Sequence, residues 1–248
     1  CGGDDCDDNT AYRNPHNFEI CDEWDNDCSG VVNDGLDCTF YAHSGQILYR
    51  VDPWQKQLAE ISTDLPNLQD IDTHPNGTLY GVTFDGLYKY NAESDFWSLV
   101  GTGFGSVMVE DPNGMAIDFE GTIFVTAQSN VFTIDVDTGL ATLLGSMEGD
   151  FYSSGDCVVN KLDTLYMTSK HDETQDHLVL LDRATGIGTQ IGPIGYSNIY
   201  ALTAAWGQLY GLTGAGEVIT INSSTGESKL VHQFLDVRFY GAASTPER

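Results

Sequence analysis

A unit of roughly forty residues recurs through most of this chain, and that period restricts its fold more than any other feature. Short apolar strands ending in Asp or Asn appear as Ile47-Leu48-Tyr49-Arg50-Val51-Asp52, Leu87-Tyr88-Lys89-Tyr90-Asn91 and Val131-Phe132-Thr133-Ile134-Asp135. Two further copies are Leu178-Val179-Leu180-Leu181-Asp182 and Val218-Ile219-Thr220-Ile221-Asn222. The terminal markers at 52, 91, 135, 182 and 222 are spaced 39, 44, 47 and 40 residues apart. The last three are followed by Thr138-Gly139, Thr185-Gly186 and Thr225-Gly226, where glycine supplies the positive φ of a tight turn. A second motif precedes each unit: Thr39-Phe40-Tyr41-Ala42, Gly77-Thr78-Leu79-Tyr80, Gly121-Thr122-Ile123-Phe124, Asp163-Thr164-Leu165-Tyr166 and Gly207-Gln208-Leu209-Tyr210.

Antiparallel four-stranded units at this spacing are the signature of a β-propeller. Five fit between residues 39 and 244, and a six-bladed ring is the competing count. Thr39 opens directly on the second-strand motif, whereas the strand at 237–243 has no followers. Those two halves complete one blade, which closes the ring and removes exposed sheet edges. Tyr41, Tyr80, Phe124, Tyr166 and Tyr210 share one recurring position, which assigns them to packing between blades rather than to an aromatic ligand stripe. The strand pattern resembles, in general form, the LYxxD-type propellers of extracellular proteins.

Composition agrees with an all-β chain. There are 27 Gly, 41% hydrophobic residues and 27 aromatics (12 Tyr, 11 Phe, 4 Trp), enough to fill a core. No apolar run approaches the roughly 20 residues of a membrane-spanning helix. Ten Lys+Arg against 37 Asp+Glu leave a net charge of -27. Such a surface repels phosphate backbones and anionic lipid, which argues against nucleic acid and membrane partners and in favour of hard cations.

The first 38 residues differ from the rest. They hold Cys1, Cys6, Cys21, Cys28 and Cys38 and a crowd of acids against one base, Arg13; only Cys157 lies beyond them. A segment this short cannot bury enough apolar surface to fold unaided, so cross-links or metal must hold it. Its cysteines read as a disulfide framework and an oxidising compartment. A zinc cluster is disfavoured, because no Cys-x-x-Cys pair occurs and oxygen ligands dominate. The odd count means that one cysteine is free, pairs with another chain or reaches Cys157, and a bond from Cys157 to the module is one expectation. The chain shows no signal peptide, so its numbering is expected to start at a processed end, with Cys1 an ordinary disulfide partner rather than a lipid-modified terminus.

Residues 25–34 read Asp-Asn-Asp-Cys-Ser-Gly-Val-Val-Asn-Asp. Alternating oxygen side chains at Asp25, Asp27 and Ser29 followed by Gly30 match the opening of a calcium loop, with Val31 offering its carbonyl. Twelve positions from the start, where an EF-hand has Glu, stands Leu36, so Asn33 or Asp34 must close the shell. A second alternation places Asp5, Asp7 and Asn9 together, with Glu19 and Asp22 as closing ligands. The expected calcium ligands are therefore Asp5, Asp7, Asn9, Glu19, Asp22, Asp25, Asp27, Ser29, Val31 and Asp34. A carboxylate cluster this dense is costly without a cation.

Asp5-Cys6-Asp7-Asp8-Asn9, Pro15, Glu19-Ile20-Cys21-Asp22, Asp25-Asn26-Asp27-Cys28 and Gly30 resemble the metal-binding repeat of the MopE type, found in myxobacterial and methanotroph surface proteins. In that repeat DCDD is followed by P-G-A-x-E-x-C-D-G-x-D-N-D-C-D-G. This chain departs at His16 and Asn17, at Glu23 and at Ser29, the last weakening one site. The resemblance spans about residues 1–38 and implies an extracellular or cell-surface bacterial protein. The family name is associated with copper, yet no His pair lies near the module.

Signals for catalysis are weak. His16, His43, His74, His171, His177 and His232 are scattered, and there is no nucleophile turn or phosphate loop. Asp70, Asp72, Asp111 and Asp156 precede or begin innermost strands, where a ring of acids could bind an axial cation; solvated loops between blades are the plainer expectation. The sequons at Asn76 and Asn222 fall in turns that already demand Asn. The reading is a secreted, non-enzymatic protein: a disulfide-rich calcium module at 1–38 on a five-bladed propeller at 39–248. Its role is structural or self-assembling at the cell surface, with other copies of the chain as partners. The alternatives are an adhesin binding a surface glycan or protein through the propeller's loop face and, less favoured, a propeller hydrolase or lyase.

Overall fold

A computed structural model describes residues 6–7, 12–170 and 174–245. Twenty strands form five four-stranded antiparallel sheets. The first sheet contains β1 (Phe40–Ser44), β2 (Ile47–Asp52) and β3 (Gln57–Ser62), with the last strand of the chain, β20 (Gly241–Ala243), on the inner side of β1. The second runs β4 (Asp70–Thr73), β5 (Leu79–Val82), β6 (Leu87–Asn91) and β7 (Phe96–Leu99). The third has β8 (Pro112–Ile117), β9 (Ile123–Ala127), β10 (Asn130–Ile134) and β11 (Ala141–Ser146). The fourth has β12 (Ser153–Val159), β13 (Leu165–Lys170), β14 (Asp176–Leu181) and β15 (Gly188–Pro193). The fifth has β16 (Ile199–Ala205), β17 (Gln208–Thr213), β18 (Glu217–Ile221) and β19 (Ser228–Gln233). The innermost strands β20, β4, β8, β12 and β16 touch in a closed cycle, so the fold is a five-bladed propeller. No described residue lies in a helix, and no helix is long and apolar enough to cross a membrane.

The repeat markers have one local cause. Each carboxylate or amide oxygen at the end of a third strand caps the turn after it by accepting two backbone N–H groups. Asp52 takes those of Trp54 and Gln55, Asn91 those of Glu93 and Ser94, and Asp135 those of Asp137 and Thr138. Asp182 takes those of Ala184 and Thr185, and Asn222 those of Ser224 and Thr225. A short acceptor side chain can reach its own backbone two and three residues on, which is why Asp or Asn stands at every such corner. At Asp135 and Asp182 the hydroxyls of Thr138 and Thr185 add a third bond and hold both carboxyls below the ordinary carboxylate pKa.

The aromatic position is equally regular. Tyr41, Tyr80, Phe124, Tyr166 and Tyr210 pair across to Arg50, Lys89, Thr133, Leu180 and Thr220, the same register in every blade. Each ring packs on the following blade. Tyr80 joins Met115, Ile123 and Phe132, Phe124 joins Cys157 and Leu165, and Tyr166 joins Leu202 and Leu209. Tyr210 joins Phe40 and Val51, and Tyr41 lies against Ile71 and Leu79. The core is thus five interblade clusters in a ring, in which the recurring aromatic of each blade packs with aliphatic residues of the next.

Polar side chains bridge the innermost strands at every gap. Asp70 accepts the N–H of Met115 at 2.6 Å and Asp72 that of Ile117 at 2.7 Å, joining β4 to β8. The other oxygen of Asp72 accepts Ser244 N–H at 2.7 Å, joining β4 to the end of β20. Asp156 accepts Leu202 N–H, and Ser244 Oγ accepts Ala204 N–H at 3.4 Å. Asn113 donates to Ser153 O at 3.0 Å, between β8 and β12. An innermost strand is a sheet edge whose N–H groups lack a strand partner, and buried unsatisfied donors are costly. The axial acids satisfy them.

Candidate metal centre

Disulfides link Cys6 to Cys28 and Cys21 to Cys38, closing sequence separations of 22 and 17. Cys157 is a free, buried thiol at the ring's centre, so it does not tie the module to the propeller. That expectation fails because Cys157 sits on an innermost strand, walled off from the module by the blades around it. Cys1 lies outside the described residues. The module is instead anchored by Cys38, which is buried at the foot of β1, and by ion pairs of Arg50 with Asp37 and of Lys229 with Glu23.

Between the disulfides the chain forms irregular turns organised around acidic side chains. Glu19 is the hub: one carboxylate oxygen accepts the N–H groups of Asn26 and Asp27 at 2.5 and 2.9 Å, and the other accepts Asn33 N–H at 2.5 Å. Asp25 receives Ser29 N–H at 3.0 Å and Gly30 N–H at 2.8 Å on its two oxygens, and Asp27 also receives Ser29 N–H at 3.0 Å. Gly30 has a φ of +92°, the left-handed turn that the loop reading requires of it. The turn is therefore built from the alternating acids themselves.

Glu19, Asp25 and Asp27 each point one carboxylate oxygen into a common region, with those oxygens within 4.8 Å of one another. Two oxygens bound to one calcium at 2.3–2.6 Å lie at most about 5 Å apart, so the spacing fits. Ser29 Oγ stands 2.9 Å from Asp34 Oδ1 and 3.3 Å from Val31 O, a second small group of oxygens, and Asp34 is not one of the acids that converge with Glu19. All of these donors are hard oxygen atoms. No sulfur or imidazole joins them among the described residues, and such a set is of the kind that holds hard cations.

Two other expected ligands, Asp22 and Asp7, make other contacts. Asp22 accepts Trp24 N–H and an amide hydrogen of Asn26. Asp7 pairs with Arg13 at 2.7 Å, and the Arg13 guanidinium lies 3.3 Å above the Trp24 ring. Asn33 is buried, with its amide exchanging hydrogen bonds with the Asp22 backbone, and Asp34 accepts the Ser29 hydroxyl at 2.9 Å. Asp5 and Asn9 lie outside the described residues. Elsewhere Asp118, Glu120 and Asp163 also converge, but Arg183 lies between them and pairs with all three.

The axial acids differ from their expected solvated state. Asp70, Asp72 and Asp156 are completely or almost completely buried inside strands, and Asp111 alone is exposed. Burial holds the carboxyls of both Asp70 and Asp156 well above the usual range, the nearby Asp70 raises that of Asp156 further, and the two share a hydrogen bond. A proton held between them removes the like-charge conflict and leaves no net dianion to call for a cation. His43, fully buried beside them, has its pKa lowered to about 4 by desolvation. An alternating Asp-Ile-Asp reads as a polar loop in sequence; only closure of the ring reveals it as a strand.

The comparisons place the module more firmly than the propeller. Residues 5–34 match the MopE-type family model, described as a "Putative metal-binding motif". No curated protein matches the chain. Among solved structures, similar folds include a catalytically inactive virginiamycin B lyase from Staphylococcus aureus with quinupristin, at 12% identity and a TM-score of 0.48 over 80% of this chain and 71% of that one. A selenomethionine-substituted virginiamycin B lyase from the same organism gives 13% identity and a TM-score of 0.47 over 78% and 69%. A streptogramin B lyase structure gives 11% and 0.46 over 78% and 68%. The MopE-type motif thus precedes a five-bladed propeller in this chain.

Proposed function

We propose that residues 1–38 form a calcium-binding module of an extracellular protein, and that the whole chain serves a non-enzymatic, structural or self-assembling role at the cell surface. The observation that carries this reading is the convergence of Glu19, Asp25 and Asp27, all oxygen donors, inside a disulfide-bonded turn. Calcium would complete the carboxylate shell and stiffen the turns around Glu19, while disulfides favour an oxidising compartment. An interaction role is supported by Tyr12, Phe18, Ile20 and Val31, which expose 79, 87, 58 and 54% of their surface on so small a module. The mutual contact of such patches in neighbouring copies is the assembly mode that fits them.

The test is a thermal melt with excess calcium and again with chelator, following particle size in the same sample. Calcium bound only to the native state raises Tm, by an amount equivalent to about 2.7 kcal/mol at a hundredfold excess over Kd. Growth of particle size with calcium supports assembly, and constant size removes it. An unchanged Tm would overturn the calcium assignment itself.

A further inference from the structure

The propeller's second face carries a recess that no described residue of the module lines. Module residues such as Glu19 and Leu36 line a cleft with Thr73, Ser244 and Thr245, which lie at the ends of β4 and β20. The opposite face, where the innermost strands begin, opens into a recess of about 820 Å³. All five blades contribute to it, through Gln69, Asn113, Ser154, Tyr200 and Tyr240 among others. Its size falls within the roughly 300–1,000 Å³ of small-molecule sites.

Its chemistry departs from that of the chain. Acids make up 37 of 248 residues, yet among the described residues no Asp or Glu lines the recess, and Arg238 is the one charged side chain there. Arg238 forms no ion pair among the described residues, although acids outnumber bases by 37 to 10. Beside it, Tyr240 and Tyr200 stack at 6.0 Å between ring centres and 17° between planes. Two buried oxygens in the wall, Asn113 Oδ1 and Ser154 Oγ, lack any hydrogen-bond partner among the described residues. Buried polar atoms without protein partners are uncommon and call for a partner from outside the protein, an ordered water or a ligand.

From these groups we infer that the recess binds a saccharide bearing a carboxylate, of the uronic acid class. A sugar ring lays a C–H face on a tyrosine plane and offers hydroxyls that both donate and accept, which suits Asn113, Ser154 and Gln69. The carboxylate pairs with Arg238, whose planar fork matches it in two hydrogen bonds. In a protein of net charge -27 an anion binds only where a local cation outweighs the general repulsion, and Arg238, with no acid beside it among the described lining residues, provides that. The inference is independent of the metal module, since the recess lies on the other face.

The experiment is isothermal titration of the full chain, at fixed calcium, with trigalacturonate and with its neutral methyl ester. We expect the acid to bind at least tenfold more tightly than the ester, and R238M to bring the acid down to the ester's affinity. Because Arg238 is exposed and unpaired, the melting temperature of R238M should equal that of the parent, and N113A should weaken both ligands. Silence with both sugars at millimolar concentration would overturn the assignment. Equal binding of acid and ester would overturn it as well, as would a short peptide carboxylate that competes as strongly as the sugar.

Discussion

Glu19, Asp25 and Asp27 in the module and Asp70, Asp72 and Asp156 on the propeller axis are the same chemical groups in two environments. Both sets accept backbone N–H groups and so organise the chain around them. They differ in access to water. The module acids are only partly buried and crowd their oxygens toward one point, so the cation proposed above would relieve their mutual repulsion. The axial acids are sealed between blades, and there Asp70 and Asp156 relieve it by retaining a proton. Burial, more than residue type, decides which of the two a carboxylate cluster recruits.

The comparison can be broken at its strongest point first. Asp72 joins three innermost strands through the N–H groups of Thr73, Ser244 and Ile117. D72A leaves those donors buried and unpaired, and a loss of about 3–5 kcal/mol in a denaturant melt is expected, with calcium affinity unchanged. Next in size is removal of the Cys21–Cys38 bond by paired serine substitutions. This should cost about 2–4 kcal/mol, felt by the module alone: proteolysis should open residues 6–38 while the propeller's melting midpoint stays put.

The pH dependence sharpens the comparison further. His43 is neutral in the native state with a pKa of about 4, whereas in the unfolded chain it titrates near 6.5. Its contribution is therefore present above about pH 6.5 and is lost as the pH falls toward 4, by up to about 3 kcal/mol. The Asp70–Asp156 pair has the opposite sign: its pKa values are raised, so its contribution is present at acid pH and lost as the pH rises through the folded values. Denaturant melts from pH 4 to 9 should show both limbs, and D156N, which mimics the protonated partner, should flatten the alkaline one. The smallest effect belongs to the module. D27N should lower calcium affinity about tenfold, close to 1.4 kcal/mol, while leaving the calcium-free melt unchanged or slightly raised, because one like charge is gone. A mutant that loses stability instead would show that Asp27 serves the fold rather than a cation.

Much of the propeller was legible because its signals are local. Asp52, Asn91, Asp135, Asp182 and Asn222 each cap their own turn within three residues, so the corner chemistry is written where it acts. The five aromatics repeat because each blade presents the same register to its neighbour. Gly241 was not legible: its need for a missing side chain arises from Asp70 and His43, whose atoms would lie 2.5 and 2.6 Å from an added Cβ. The recess around Arg238 was hidden for the same reason, since its walls come from positions spread between Gly45 and Tyr240.

By itself the sequence determined the propeller repeat, the corners, the interblade aromatics and the acidic, cysteine-rich start, because turn capping, strand alternation and cysteine crowding act over a few residues. The tertiary structure alone decided which cysteines pair, that Cys157 stays free in the core, which acids converge and which are sealed on the axis. Those outcomes depend on distances between residues far apart in the chain, and on exclusion of water by blades that meet only when the ring closes.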